Sequence, residues 1–158
     1  MTDLFAQPRF QLDPIGHLRT GFASLAECPA SMTGNPDTSY IELLPDYSAG
    51  LHNIHLASHV IVLYWLHLSN RAPHLDAAGC NGPKRGVFAS RTPNRPNPIA
   101  LSVTRLIARD QNILQVAGLD CLDGTAVLDI KPYVPQLDHI ADATISWTPP
   151  HTTPAHNS

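Results

Sequence analysis

Apolar residues along this chain come in short clusters separated by prolines, glycines and polar residues. The strongest cluster, residues 60–66 (VIVLYWL), has no polar face and is rich in β-branched and aromatic side chains. It is predicted to be a fully buried strand. Residues 99–107 alternate instead. Ile99, Leu101, Val103 and Ile107 fall on one face, and Ser102 and Thr104 on the other, which is the period of a strand with two unlike faces. Shorter strands are expected at residues 15–20, 40–44, 87–90 and 145–147. Residues 113–119 and 126–130 flank Leu122-Asp123-Gly124-Thr125, and an Asp-Gly pair between two strand-like runs predicts a hairpin. A helical turn or two is expected near residues 49–56. About eight short strands with close turns predict an all-β sandwich or barrel.

Composition narrows this without changing it. The chain has 158 residues, one domain's worth. It divides into an arm (1–12), a barrel domain (13–147) and a Pro-rich tail (148–158), with no internal repeat. Hydrophobic residues are 43% and charged residues 15%, as in a compact globule rather than a disordered chain. The 15 prolines argue against a helical bundle, because proline breaks helix interiors. Cys28, Cys80 and Cys121 are odd in number and form no C-x-x-C pair, so neither a zinc ribbon nor a disulfide framework is expected. Residues 1–10 carry no apolar leader stretch, and the run at 60–66 is far shorter than the roughly 20 residues a membrane span needs. The expected setting is the cytoplasm, away from any membrane.

Net charge is −3, which taken alone argues against a nucleic-acid partner. The distribution says otherwise. Between residues 84 and 109 stand Lys84, Arg85, Arg91, Arg95, Arg105 and Arg109 with no acid, and the acids cluster afterwards. A basic segment of this kind predicts a local phosphate-binding patch. Within it, residues 91–98 read RTPNRPNP. Three prolines fix φ and push the preceding residues to extended geometry. The loop is therefore stiff, and Arg91 and Arg95 are displayed on it for an anion. The run at 120–133 (DCLDGTAVLDIKPY) supplies Asp120, Asp123 and Asp129, carboxylates able to accept from hydroxyls or ammonium groups or to act as bases. Asp123 on its own reads as turn chemistry. His52, His55 and His59 have the spacing of a helical metal face, but His59 starts a strand, so no metal site is assigned. His67 falls at a strand end beside a pocket rim. No dinucleotide, P-loop, G-x-S-x-G or H-E-x-x-H pattern occurs, which removes the common nucleotide and hydrolase readings.

Ile15-Gly16, the run SHVIV at 58–62, GVFASRTPNRPNPIALS at 86–102 and DCLDGTAVLDIKPY resemble the successive motifs of the TsaA-like family. Its best understood members are the tRNA methyltransferase O enzymes. The resemblance covers roughly residues 15–138. It implies a single-domain β-barrel, distinct from the doubly wound methyltransferases and active as a homodimer. It implies S-adenosylmethionine as cofactor and methylation of N6 on N6-threonylcarbamoyladenosine, beside the anticodon of a threonine tRNA or in a related acceptor. Cofactor contacts would fall on Pro29, His67, Arg91, Leu101, Asp120, Cys121, Leu122 and Asp123. Arg95 and Asn97 would meet tRNA. Asp129, Lys131 and Tyr133 would serve proton transfer. The chain departs from the pattern at Pro29-Ala30-Ser31, where the family carries Pro-Arg-Gln, at Leu68, at Ala100 and at Ala126. The lost Arg-Gln pair motivates an alternative, a binding module that keeps the barrel and has lost methyl transfer.

Overall fold

The computed structural model describes residues 11–29, 38–72 and 86–146. Six strands are present among them: β1 (Gly16–Arg19), β2 (Thr38–Leu43), β3 (His59–Trp65), β4 (Ile99–Asp110), β5 (Ile113–Ala117) and β6 (Ala126–Pro132). They close into a barrel in the order β1-β2-β5-β4-β3-β6, with β6 returning to β1. Every pairing is antiparallel. Short 3-10 turns (Pro45–Leu51, Ile54–Leu56, Val87–Ala89) and a one-turn α-helix (Pro135–Asp138) complete the described chain. The all-β barrel expected from the pattern is therefore the fold. The expected arm and tail fall almost wholly outside the described residues.

Barrel geometry explains the alternation, since each strand sends every second side chain inward. Leu18, Ile41, Leu43, Val60, Val62, Tyr64, Leu114, Val116 and Val127 fill the interior, with Leu51, Leu119 and Cys121 packed against them. Residues 60–66 are not a fully buried strand. Val60, Val62 and Tyr64 point inward, while Ile61, Leu63 and Trp65 are only half-buried on the outside. On β4 the polar side chains face in. Ser102 and Thr104 are buried, whereas Ile99, Leu101, Val103 and Ile107 are 40–46% exposed. Thr104 satisfies its hydroxyl on the Ala117 carbonyl (2.7 Å), so burial carries no unpaired donor. A register irregularity in the β3–β6 pairing lets Ile130 still turn toward the core, and on β4 Leu106 continues the inward face of Ser102 and Thr104.

Three expected elements differ. Residues 113–119 and 126–130 do not form a hairpin. β5 is flanked by β2 and β4, and β6 by β3 and β1, so the segment between them crosses the end of the barrel. Residues 87–89 form a 3-10 turn rather than a strand. Residues 145 and 146 are not in a strand, and Trp147 lies outside the described residues. The tight hairpin is instead β4–β5. There Asp110 pairs with Ile113, and Gln111 takes the left-handed conformation (φ 50°).

The β1–β6 seam is short, pairing only Gly16 with Val127 and His17 with Ala126. It continues along β1 beyond the start of β6, where the Asp-Gly turn takes over from the strand. Leu18 N–H donates to Thr125 O and Gly124 N–H to Leu18 O, both at 2.8 Å. Gly124 has φ +76°, and a Cβ on Gly16 would collide with the backbone of Glu42 and Leu43. Gly16→Ala is expected to cost about 2–3 kcal/mol or more by overpacking, and Gly124→Ala about 1–2 kcal/mol. Gly50→Ala, where a Cβ meets open space, should be neutral or slightly stabilising. Urea unfolding of the three variants checks this order.

Candidate functional site

Strands β1, β3 and β5 finish at the same end of the barrel, where β4 and β6 begin. The long connection from β3 to β4 and the shorter one from β5 to β6 therefore meet there. Between them lies an open cavity of about 1230 Å³, above the roughly 300–1000 Å³ typical of a single small-molecule site.

Its floor is polar and built from the barrel wall. Tyr64, pointing in from β3, and Ser102, pointing in from β4, stand 2.9 Å apart through their hydroxyls. The Tyr64 hydroxyl also donates to Asp120 Oδ1 at 2.9 Å. Burial pushes the Tyr64 phenol well above its ordinary range, and the charge of Asp120 adds to this. Tyr64 thus stays a proton donor. Asp120 is the one carboxylate lining the cavity among the described residues. Two thiols sit nearby. Burial, with Asp120 second, pushes Cys121 up to about 12, and burial, Asp120 and Glu27 raise Cys28. Neither thiol is a ready thiolate near neutral pH, so sulfur nucleophilic chemistry does not suit this site.

The walls are apolar, from Pro29, Leu66, Phe88, Leu101 and Leu122, and the mouth is the Arg/Pro loop. That loop is pinned at several points. Pro98 is fully buried, and its carbonyl accepts from Leu66 N–H (2.9 Å). Asn94 Oδ1 accepts from Asn70 N–H (3.0 Å), and the Pro96 carbonyl accepts from Arg71 Nε (3.1 Å). Arg71 also stacks on Trp65, 5.4 Å from the ring centre. Arg91 and Arg95 line the cavity and have no carboxylate partner among the described residues. Two unpaired guanidiniums on a rigid loop are well suited to an anion.

The structure therefore gathers Pro29, His67, Arg91, Leu101, Asp120, Cys121 and Leu122 around one cavity, with Arg95 and Asn97 beside them. Asp123 is not in the lining. Its Oδ1 accepts from Thr20 N–H at 3.0 Å, which holds the turn in place, the turn role read for it in the sequence. Asp129, Lys131 and Tyr133 are not brought to the cavity either. Asp129 pairs with Lys131 on the outside of β6, opposite Leu63 and Ile61, and Tyr133 N–H bonds His59 O. The basic segment does not form one patch. Arg105 sits on the outer face opposite His59. Arg109 is engaged by the carbonyls of Leu51 and Gln111, and Lys84 and Arg85 lie outside the described residues. No group of three His, Cys, Asp or Glu able to hold a metal occurs among the described residues. Sequence reasoning missed Tyr64, Ser102 and Thr125 as lining residues. The available signal was the Ser102/Thr104 face of the alternating strand, which only burial identifies as the inner one.

The sequence matches the family described as tRNA-methyltransferase O N-terminal domain over residues 17–139. A protein of Archaeoglobus fulgidus named "S-adenosyl-L-methionine-binding protein" is 38% identical over 127 residues, covering 80% of this chain and 91% of its own length. A second protein of that organism, named "Probable S-adenosyl-L-methionine-binding protein", is 41% identical over 137 residues; the match takes in 87% of this chain but 37% of that longer protein. A crystal structure of TrmO superposes with a TM-score of 0.74 at 36% identity, over 91% of this chain and 66% of that one. TrmO from Pseudomonas aeruginosa gives 0.72 at 35% identity, over 90% and 64%.

Replacing Arg91 and Arg95 together with Ala should leave folding intact, because neither guanidinium is tied to the scaffold among the described residues. Binding of a phosphate-bearing ligand should weaken by about tenfold or more at low salt, with a salt dependence shallower by about 1–2 in log–log slope. Circular dichroism melts and filter binding over a salt series check this. An unfolded double variant would mark the loop as purely structural.

Proposed function

The chain belongs to the tRNA-methyltransferase O N-terminal domain family, and from that premise we propose that it binds S-adenosylmethionine and transfers its methyl group to a tRNA nucleoside. One observation carries the reading. Seven of the eight cofactor positions implied by the family, all but Asp123, line a single cavity. The residues suit this cofactor: apolar walls for the nucleoside, one carboxylate for a donor group, and two guanidiniums for an anionic group.

Held between Leu101, Leu122 and Asp120, S-adenosylmethionine would supply an activated methyl on a sulfonium, and the acceptor nitrogen would have one proton to give up. Little covalent work is left for the protein, and alignment of donor and acceptor is worth roughly 7–11 kcal/mol. The cavity volume of about 1230 Å³ leaves room for both. The acceptor we favour is N6 of N6-threonylcarbamoyladenosine next to the anticodon of threonine tRNA, acting in the cytoplasm. Support comes from the Arg91, Arg95 and Asn97 lip, suited to an RNA backbone. His67, which lines the cavity, is the group we assign to take the proton. A second reading, a binding module without turnover, is favoured by one feature: Asp129, Lys131 and Tyr133 stand outside the cavity.

Two experiments test this. Calorimetry should give saturable binding of S-adenosylmethionine, and its absence at high ligand concentration would remove both readings. Nucleoside mass spectrometry of a knockout should show loss of the methylated nucleoside from tRNA. Binding with an unchanged nucleoside profile would select the module.

We also propose a homodimer. The outer face of β3 and β4 exposes Leu101 and Val103 (46% and 44%) beside half-buried Ile61, Leu63 and Trp65. Apolar surface of this kind marks an interface. Sedimentation should report two chains, and Val103→Asp should shift the species toward one. A wild-type monomer at micromolar concentration would refute the dimer.

A further inference from the structure

Tyr64, Ser102 and Asp120 form a directed chain of hydrogen bonds. A tyrosine has one proton, and an ionised carboxylate only accepts. The Tyr64 proton goes to Asp120 Oδ1 (2.9 Å). The 2.9 Å contact with Ser102 must then run the other way, with Ser102 donating to the phenol oxygen. Ser102 and Tyr64 are buried, 6% and 2% exposed, and each is set by the barrel. Tyr64 lies opposite Ala100 and Val62 opposite Ser102 in the β3–β4 ladder. The chain therefore extends the rigid β3–β4 wall to the side chain of Asp120, which sits on a connection rather than in a strand. Donors linked in series polarise one another in a low-dielectric interior.

Asp120 Oδ2 has no hydrogen-bond partner in the protein among the described residues. Asp120 is also the one carboxylate in a cavity whose other charged groups are Arg91 and Arg95. An acceptor oxygen fixed at one lone pair and open at the other has the form of a preorganised ligand contact.

We propose that Tyr64 is a positioning residue, which holds Asp120 so that its free carboxylate oxygen accepts a hydrogen bond from the bound cofactor. The proposal rests on the S-adenosylmethionine reading. It assigns the contact to an O–H or N–H donor, which the cofactor offers as its ribose hydroxyls, its adenine amino group and its α-ammonium. Tyr64 itself touches no ligand in this role. Its raised proton affinity keeps it a donor across the working pH range.

The test is a double-mutant cycle read by calorimetry, with S-adenosylhomocysteine and 5′-methylthioadenosine as probes. Asp120→Asn should weaken S-adenosylhomocysteine roughly 10- to 100-fold, as loss of a hydrogen bond to a charged group does. Tyr64→Phe should weaken it about 3- to 10-fold. The double variant should bind no more than about twofold worse than Asp120→Asn, because Tyr64 acts through Asp120. Ser102→Ala, which leaves the phenol donating to Asp120, should cost less than Tyr64→Phe. Methylthioadenosine keeps the ribose hydroxyls and lacks the ammonium. If Asp120→Asn weakens both probes alike, the donor is in the nucleoside, a ribose hydroxyl or the adenine amino group; if only S-adenosylhomocysteine suffers, the ammonium is the donor. Either pattern supports the contact. Tyr64→Phe that binds like wild type, or losses that multiply in the double variant, would overturn the positioning role. Wild-type protein that binds neither probe would overturn the cofactor reading and this proposal with it.

Discussion

The barrel closes on a seam of two residue pairs between β1 and β6, and the Asp-Gly turn makes that seam sufficient. Before β6 begins, the turn serves as the partner of β1, through Leu18 to Thr125 and Gly124 to Leu18. Asp123 then clasps Thr20 N–H, and Thr20 Oγ1 donates to the Cys121 carbonyl at 2.8 Å. These bonds tie a connection with no strand pairing of its own to the strand edge it closes. The same bonds set where Asp120, Cys121 and Leu122 stand. Barrel closure and the position of the cavity floor are thus one constraint. A change that loosened the turn would open the seam and move Asp120 together.

A second consequence of closure is the inversion of β4. The interior has limited width, and the two β4 side chains that enter it between Tyr64 and Ala117 are small and polar. Each is satisfied by a partner within the barrel, so the cost of burying a hydroxyl is offset. The aliphatic face is pushed outward, where it forms a wall of the cavity and then runs on across the strand. A strand that was apolar inward and polar outward would have given a drier core. It would also have removed both the hydroxyl under Tyr64 and the apolar wall beside the Arg/Pro loop.

The sequence carried the architecture and most of the site because those features are local. Proline spacing alone makes residues 91–98 a stiff loop, and Asp123-Gly124 can only be a turn. What it did not carry is pairing. The turn looked like a hairpin because its flanks are both strand-like, yet β5 and β6 sit apart in the barrel. No local signal distinguishes a strand that pairs with its neighbour from one that leaves for the far wall. The same limit explains Tyr64. In the sequence it is one apolar letter in VIVLYWL, and its role arises from Ser102 and Asp120, 38 and 56 residues away. Asp129, Lys131 and Tyr133 show the converse. Their polar character and nearness to the turn suggested chemistry, but the β-pleat places the first two on the outer wall.

Charge gives the last step. The formal total of −3 says little about a site, because exposed charges farther apart than about 8 Å are largely screened at physiological salt. What matters is the order of charge along the cavity. One carboxylate stands at the floor, held by a buried phenol, and two guanidiniums stand at the mouth on a proline-stiffened loop. Several acids that contribute to the total are engaged elsewhere: Asp123 with Thr20, Asp129 with Lys131, Asp138 with the Val134 amide. Their charge is spent locally on structure and does not cancel the mouth. A ligand with a cationic or hydroxyl-bearing end and an anionic end therefore meets a graded field, although the protein as a whole is acidic.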